Sequence, residues 1–223
     1  MHQIQKILLK RLVLQNDQKY SDLTRGYDFE NNIVFHLKKL MENGFIEKKG
    51  TIYSITAEGI KQIYSYELSD LTNPGIKTFF CGFIVADDEK YLLKGHPAAK
   101  VNFFNLPSGR PKFGEKMEEA LVRLFFENTG IKVDAARFGY KCFHAKIVKT
   151  TNGESLFDDG QAIFEIKIFK KEAAEMKLME GLGWFSIDKI KKLVNCWPEI
   201  KMCILDKKIV PYASYEIISD YKL

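Results

Sequence analysis

The sequence predicts an α+β chain of 223 residues built as two domains. Three observations carry this expectation. Residues before Ser69 alternate helical stripes with a single pair of short strand-like runs. The segment Ser69-Asp70-Leu71-Thr72-Asn73-Pro74-Gly75 gathers small, polar and helix-breaking residues. Beyond it, strand patterns surround one long helix. The expected division is a first domain over residues 1–70, a linker over 71–76 and a second domain over 77–223.

In the first domain, Ile4, Ile7, Leu8 and Leu12 recur at helical spacing and predict a helix over 3–15. A short helix over 21–25 follows, with Ser21 as its cap. Asp28 is placed to cap a third helix whose inward stripe is Ile33, Leu37, Leu40 and Met41, closed at Asn43-Gly44. Strands over 45–48 and 51–56 turn at Lys49-Gly50. Thr56 then caps a last helix burying Ile60, Ile63 and Tyr64.

In the second domain, strands are predicted over 78–86 and 91–94 with a turn at Asp87-Asp88. A loop over 97–114 leads to a helix over 115–128 closed by Gly130. Further strands are predicted over 138–149 and 162–169, with a helix over 187–194 and a C-terminal tail.

Composition sets bounds on function. Hydrophobic residues make up 46% and charged residues 28%, ordinary for a globular chain. No apolar run approaches the ~20 residues of a membrane span. The N-terminal helix carries Lys6, Lys10 and Arg11 and lacks the pattern of a secretory signal. Cys81, Cys142, Cys196 and Cys203 show no paired metal-type spacing and read as reduced core thiols, which speaks against zinc and for a cytoplasmic setting. The net charge of +5 divides into 10 basic against 9 acidic residues before Asn73 and 24 against 20 after it. That balance is too mild to prove a polyanion partner, so a nucleic-acid reading depends on where charges point.

The stretch from His36 to Gly50, followed by Ile55-Thr56-Ala57-Glu58-Gly59, resembles the recognition helix, wing and exit helix of the winged helix-turn-helix family. The resemblance covers about residues 1–68 and implies a DNA partner. On a helix with Ile33, Leu37 and Leu40 inward, Asn31, Asn32, Phe35, Lys38 and Lys39 point outward. The asparagines suit adenine edges and the lysines suit phosphates. Lys48 and Lys49 at the wing tip, with Thr24 and Arg25 after the second helix, are placed for flanking phosphates. The other reading is a solvated face used for protein contacts, with Phe35 as a dimer contact and Glu30, Glu42 and Glu47 diluting the positive field.

The run from Leu106 to Glu115 and the helix after it resemble the Nudix box of hydrolases acting on nucleoside diphosphate derivatives. Gly109, Glu115, Arg123, Phe125, Glu127, Gly130 and Ile131 fall in register with that pattern, and Gly183-Trp184-Phe185-Ser186-Ile187-Asp188 resembles a later helix entry of the family. The resemblance covers about residues 77–215 and implies an α/β/α sandwich around a mixed sheet. It also implies that Glu115, Arg123 and Gly130 lock loop to helix and that helix carboxylates hold Mg²⁺ or Mn²⁺ against a diphosphate. Leu124 and Asn128 stand where the family carries glutamates, leaving Glu127 alone. Positions 124, 127 and 128 are expected on one helical face, and Glu119 within reach of Arg123. No cofactor is expected to be required; weak, substrate-assisted Mg²⁺ or Mn²⁺ binding at Glu127 is the residual metal role. Gly109, Arg110, Lys112, Glu127 and Asn128 are the expected ligand contacts, with Arg110 and Lys112 bringing positive charge to a phosphate. Glu165, Glu172 and Glu175 are alternative late acidic ligands, and Trp184 and Phe185 read as core.

Together these features point to a homodimeric, ligand-responsive transcriptional regulator. Its Nudix-like domain would sense a nucleoside diphosphate derivative such as ADP-ribose with little or no hydrolysis. The resemblance to Nudix-related transcriptional regulators comes with the domain order reversed. The alternative is an active or weakly active Nudix hydrolase with an accessory winged helix, and a third reading is a protein-interaction module.

Overall fold

Leu8, Leu9 and Leu12 on one helix face, Leu37 and Leu40 on another, and Ile46 and Tyr53 on two strands supply the apolar surface around which the N-terminal part folds. The computed structural model describes residues 1–27, 32–71, 77–87, 90–95, 104–193 and 196–219. The chain divides into two compact units, Met1–Gly75 and Ile76–Leu223. Asp28, Asn31, Asp88 and most of the expected linker lie outside the described residues, as do 96–103 of the long loop.

The first unit runs α1 (Gln3–Leu14), β1 (Gln18–Lys19), α2 (Tyr20–Leu23), α3 (Ile33–Glu42), β2 (Ile46–Lys49), β3 (Ile52–Ile55) and α4 (Ala57–Ile63). Its strands form an antiparallel sheet in the order β1-β3-β2. The strand β1 is an addition to the expectation: Gln18 and Lys19 pair with Tyr53 and Ile52, so α2 starts at Tyr20 directly after Lys19 and Ser21 is not its cap. Asn32 precedes α3 in a left-handed conformation (φ 47°), placing it before the first turn instead of on the helix's outward face. Ile33, Leu37 and Leu40 are buried as expected, while Met41 is half-buried.

Thr56 caps α4, its Oγ1 accepting from the Gly59 amide at 3.1 Å. Gly59 and Ile63, one turn apart, are the buried residues of this helix. The expected burial of Ile60 and Tyr64 is corrected, since they are 41% and 62% exposed. The helix sits so close to the β2 entry that only glycine fits at 59.

The second unit contains β4 (Thr78–Ala86), β5 (Lys90–Gly95), β6 (Phe104–Asn105), β7 (Ser108–Gly109), α5 (Met117–Thr129), β8 (Gly139–Thr150), β9 (Ser155–Lys167), α6 (Lys170–Glu175), β10 (Leu182–Ser186), α7 (Ile187–Lys191), α8 (Pro198–Ile200) and β11 (Tyr212–Ser219). A π-helical turn over Lys201–Leu205 continues α8. The mixed sheet has the order β10-β5-β4-β9-β8-β11, with β6 beside β5 and β7 beside β4. The pairs β4–β9 and β8–β11 are parallel.

Strand alternation divides the core between two faces. Cys81, Phe83 and Val85 of β4 pack with Leu121, Leu124 and Phe125 of α5. Ile84, Leu93 and Ile163 pack on the other face with Ile190 of α7, Ile200 of α8 and Cys203 and Ile204 of the π turn. The unit is therefore a mixed sheet between two helical layers, within an α+β chain. The strand β9 starts well before the expected 162, and the expected tail contains α8 and β11. Among the described residues, no helix is long and apolar enough to cross a membrane.

A Cβ at Gly59 would stand 2.0 Å from the Phe45 carbonyl oxygen and 2.8 Å from Ile55 Cγ1. Gly→Ala in a helix ordinarily stabilises by ~0.5–1 kcal/mol. Gly59→Ala is expected to destabilise instead, by ~1–3 kcal/mol through overpacking. Denaturant unfolding followed by circular dichroism checks this, and a raised midpoint contradicts it.

Candidate functional site

The loop between β7 and α5 returns on itself because Glu115 reaches both the chain behind it and the helix ahead. Its carboxylate accepts from the Lys112 amide at 2.8 Å, closing the turn, and from Arg123 Nε and Nη2 at 2.6 and 2.7 Å. This fork-to-fork geometry is the strong form of an Arg–carboxylate pair. Arg123 also donates through Nη2 to the Arg110 carbonyl at 3.2 Å and through Nη1 to both Glu127 oxygens at 3.0 Å. The guanidinium thus joins loop, helix start and helix end. Its hydrogen bond to Glu115, with the Lys112 amide second, holds the Glu115 carboxyl down to about 2 from its ordinary 4.5. Hydrogen bonds to Glu115, foremost, and to Glu127 raise the Arg123 pKa.

Gly130 ends α5 in a left-handed conformation (φ 74°), its amide bonded to the Phe126 carbonyl at 2.7 Å. Gly109 lies beneath Leu124: a Cβ there would meet Leu124 Cδ2 at 2.3 Å. The absence of a side chain at 109 is what lets the helix settle onto β7.

This closeness decides the fate of the two positions where glutamates were expected by resemblance. Leu124 is 3% exposed and belongs to the apolar cluster under the helix. Asn128 is 2% exposed; its amide nitrogen donates to the Leu124 carbonyl at 2.8 Å and lies 3.5 Å from the Ser108 carbonyl oxygen. Its own Oδ1 is buried with no hydrogen-bond partner among the described residues. A carboxylate at 128 would face two carbonyl oxygens where an amide donor now sits, an arrangement that favours the neutral side chain.

Glu127 is half exposed and engaged by Arg123. The expectation that 124, 127 and 128 share a face is corrected: 124 and 128 point inward, and 127 lies about 100° around the helix from 128. The expected Glu119–Arg123 pair is also corrected, because Arg123 turns to Glu115 and Glu127. Among these three positions only Glu127 offers a carboxylate, and both of its oxygens accept from Arg123.

Two of the other late carboxylates are engaged elsewhere. Glu165 pairs with Lys141 at 2.7 Å and Glu172 with Arg137 at 2.6 Å, while Glu175 is exposed on α6. Trp184 and Phe185 are partly buried on opposite faces of the sheet, Trp184 against the α5 cluster and Phe185 against Phe104. Arg110 is exposed, its guanidinium 4.8 Å from the Phe80 ring centroid, and Lys112 is exposed beside it. Two cations therefore border the loop whose carboxylates are already committed. The Arg110–Phe80 stacking was not legible in the sequence, since it joins a loop to a strand some distance back along the chain.

In the first unit, Phe35, Lys38, Lys39, Lys48 and Lys49 are all exposed, as is Asn32. Several cations pair locally: Arg25 with Asp22 at 3.1 Å, Lys39 with Glu42 at 2.8 Å and Lys49 with Glu47 at 2.7 Å. Lys48 lies over the Tyr53 ring at 5.1 Å. Val34 joins Phe35 as an exposed apolar residue at the start of α3, at 67% and 47% exposure.

No protein-family model matches the chain, and no curated protein matches it. Among solved structures, it is similar to the mMutator MutT protein of Bacillus halodurans, at 18% identity and TM-score 0.49 over 65% of this chain and 93% of that one. It is similar to the Nudix domain of Shewanella oneidensis NrtR, solved in complex with ADP ribose, at 10% identity and TM-score 0.46 over 69% of this chain and 98% of that one. A MutT Nudix hydrolase from Burkholderia pseudomallei aligns at 26% identity and TM-score 0.41 over 52% of this chain and 87% of that one.

Because the Glu115 carboxyl is held below its ordinary pKa, its pairing stabilises the folded chain fully above pH 4.5 and loses that effect as pH falls towards 2. Glu115→Gln is expected to be less stable than wild type at neutral pH, with the difference narrowing through that window. Thermal unfolding of both proteins across pH measures it; a difference independent of pH contradicts the pairing.

Proposed function

We propose that the chain is a ligand-responsive DNA-binding regulator whose second unit binds a nucleoside diphosphate derivative of the ADP-ribose class with little or no hydrolysis. The observation that carries this reading is the commitment of the α5 acidic frame. Glu127 and Glu115 both serve Arg123, and positions 124 and 128 carry buried, uncharged side chains facing β7. Hydrolysis by metal-activated water needs a cation and a positioned base. Recognition of a diphosphate needs only donors and positive charge, which Arg110 and Lys112 supply at the exposed loop. No cation is required for binding on this reading; at most, a ligand's own phosphates would bring Mg²⁺ weakly to Glu127.

The resemblance of the first unit to a winged helix, and the exposure of Lys38, Lys39, Lys48, Lys49 and Arg25, support the DNA-binding half of the proposal. The local ion pairs of those cations are surface contacts worth little, so a phosphate can replace the carboxylate partner at small cost. Exposed Val34 and Phe35 suit contact with a thymine methyl or with a second copy in a homodimer bound across a two-fold site. Regulation requires a coupling of ~1–3 kcal/mol between the two sites.

Titration calorimetry of the full chain with ADP-ribose in the presence of EDTA tests the sensing reading. Binding is expected without metal, and Arg110→Ala is expected to weaken it by about ten- to a hundred-fold, the range for a charged hydrogen bond. Retardation of a fragment from the gene's own upstream region, altered by ADP-ribose, is the expected DNA result. Rapid Mg²⁺-dependent release of nucleoside monophosphate, abolished by Glu127→Gln, would establish a hydrolase instead.

A further inference from the structure

The opposite face of the sheet from α5 carries a group of buried polar side chains that the loop–helix site does not use. Alternation along β8 sends Cys142, His144 and Lys146 to that face, and the π turn brings Cys203 against them. Cys142 and His144 are fully buried and Cys203 is 6% exposed. Cys142 Sγ lies 3.4 Å from His144 Nε2, and the three donor atoms all lie within 4.8 Å of one another. His144 Nδ1 is buried with no hydrogen-bond partner among the described residues. The edge of the Tyr215 ring closes over the imidazole, with centroids 5.4 Å apart. Beside the group, Lys146 and Glu199 form a buried ion pair.

Packing alone accounts poorly for this arrangement. Two thiols and the Nε2 edge of an imidazole converge in a buried layer, where polar groups are costly without strong partners. A tetrahedral ion at ~2.3 Å from sulfur and ~2.0–2.1 Å from nitrogen holds a sulfur and a nitrogen donor about 3.5 Å apart, close to the 3.4 Å between Cys142 Sγ and His144 Nε2. π-helical turns occur mostly as local distortions at functional sites, and this one places Cys203. We infer that Cys142, His144 and Cys203 provide three donors of a buried site for a thiophilic cation of the zinc class.

Charge and chemistry agree with that assignment. Two thiolates and a neutral imidazole are soft and borderline donors, which select zinc-like ions over Mg²⁺ or Ca²⁺. The two thiolates neutralise a divalent ion, and the adjacent Lys146–Glu199 pair is neutral in itself, so the buried ensemble carries no net charge. With the donors buried, the ion would enter during folding and tie β8 to the π turn, fastening the second helical layer to the sheet. This site is independent of the diphosphate-binding proposal, since it lies on the other face and calls on none of the same residues.

Untagged full-length protein, unfolded with chelator and refolded with or without zinc, provides the test. About one zinc per chain is expected by elemental analysis, with a melting temperature at least ~5 °C above that of the metal-free protein. Cobalt substituted for zinc is expected to show sulfur-to-metal charge-transfer absorption, lost in Cys142→Ser and Cys203→Ser and kept in Cys196→Ser. Should the serine variants fail to fold, the cobalt spectrum and zinc content of the wild type decide. Wild-type protein that refolds with the same melting temperature in either condition and holds less than ~0.1 equivalent of metal would overturn the site. A Cys142–Cys203 disulfide in protein purified without reductant would also overturn it.

Discussion

Arg123 is the residue on which the site's architecture depends. A single guanidinium holds the loop carbonyl of Arg110, both oxygens of Glu115 and both oxygens of Glu127. Five donor groups in a planar fork make this multiple engagement available to arginine and not to lysine. Once it forms, the loop is pinned to α5, Gly109 is drawn beneath Leu124, and the inward positions of the helix become packing positions. The two carboxylates that remain in the frame serve the arginine.

The two faces of the sheet in the second unit then carry different chemistry. On the α5 face the core is apolar up to the loop, where cations stand exposed. On the other face, buried polar groups from β8, α8 and the π turn sit among aliphatic residues. The parallel strand β11 extends the sheet beyond β8 and brings Tyr215 to that polar group. Between the irregularities at Tyr140/Cys142 and Val148/Lys149, alternation separates the two environments, so over residues 142–147 a substitution at an even-numbered position acts on one face and its neighbour on the other.

Much of the fold was legible because its signals are local. The helical stripe of Leu8 and Leu12, the Thr56 cap and the Gly130 helix end each depend on residues a turn apart, and the structure places all of them close to expectation. The fixed spacing of Gly109, Glu115, Arg123 and Glu127 marks the loop and helix in the sequence itself. What escaped the sequence was non-local. The start of β9 reads as a polar loop because Asp158, Asp159 and Gly160 interrupt the apolar run, and only pairing with β4 and β8 makes it a strand. The strand β11 depends on parallel pairing with β8 and lacks a strong apolar alternation of its own. At the site, helical spacing correctly grouped 124 with 128 but also enlisted 127, which the approach of β7 leaves outside. The cysteine spacing looked unremarkable for metal because Cys203 joins Cys142 and His144 only through the fold; the Cys-x-His pattern on one strand face was the signal available.

The α5 carboxylates are bonded to Arg123, and the proposed function has them bind no hard divalent cation in ligand-free protein. Electron paramagnetic resonance of Mn²⁺ titrated into the protein tests it directly, since bound and free Mn²⁺ give distinct signals. In ligand-free protein the account predicts that Mn²⁺ stays free, with wild type and Glu127→Gln indistinguishable. Stoichiometric Mn²⁺ binding by wild type that disappears in Glu127→Gln would contradict it.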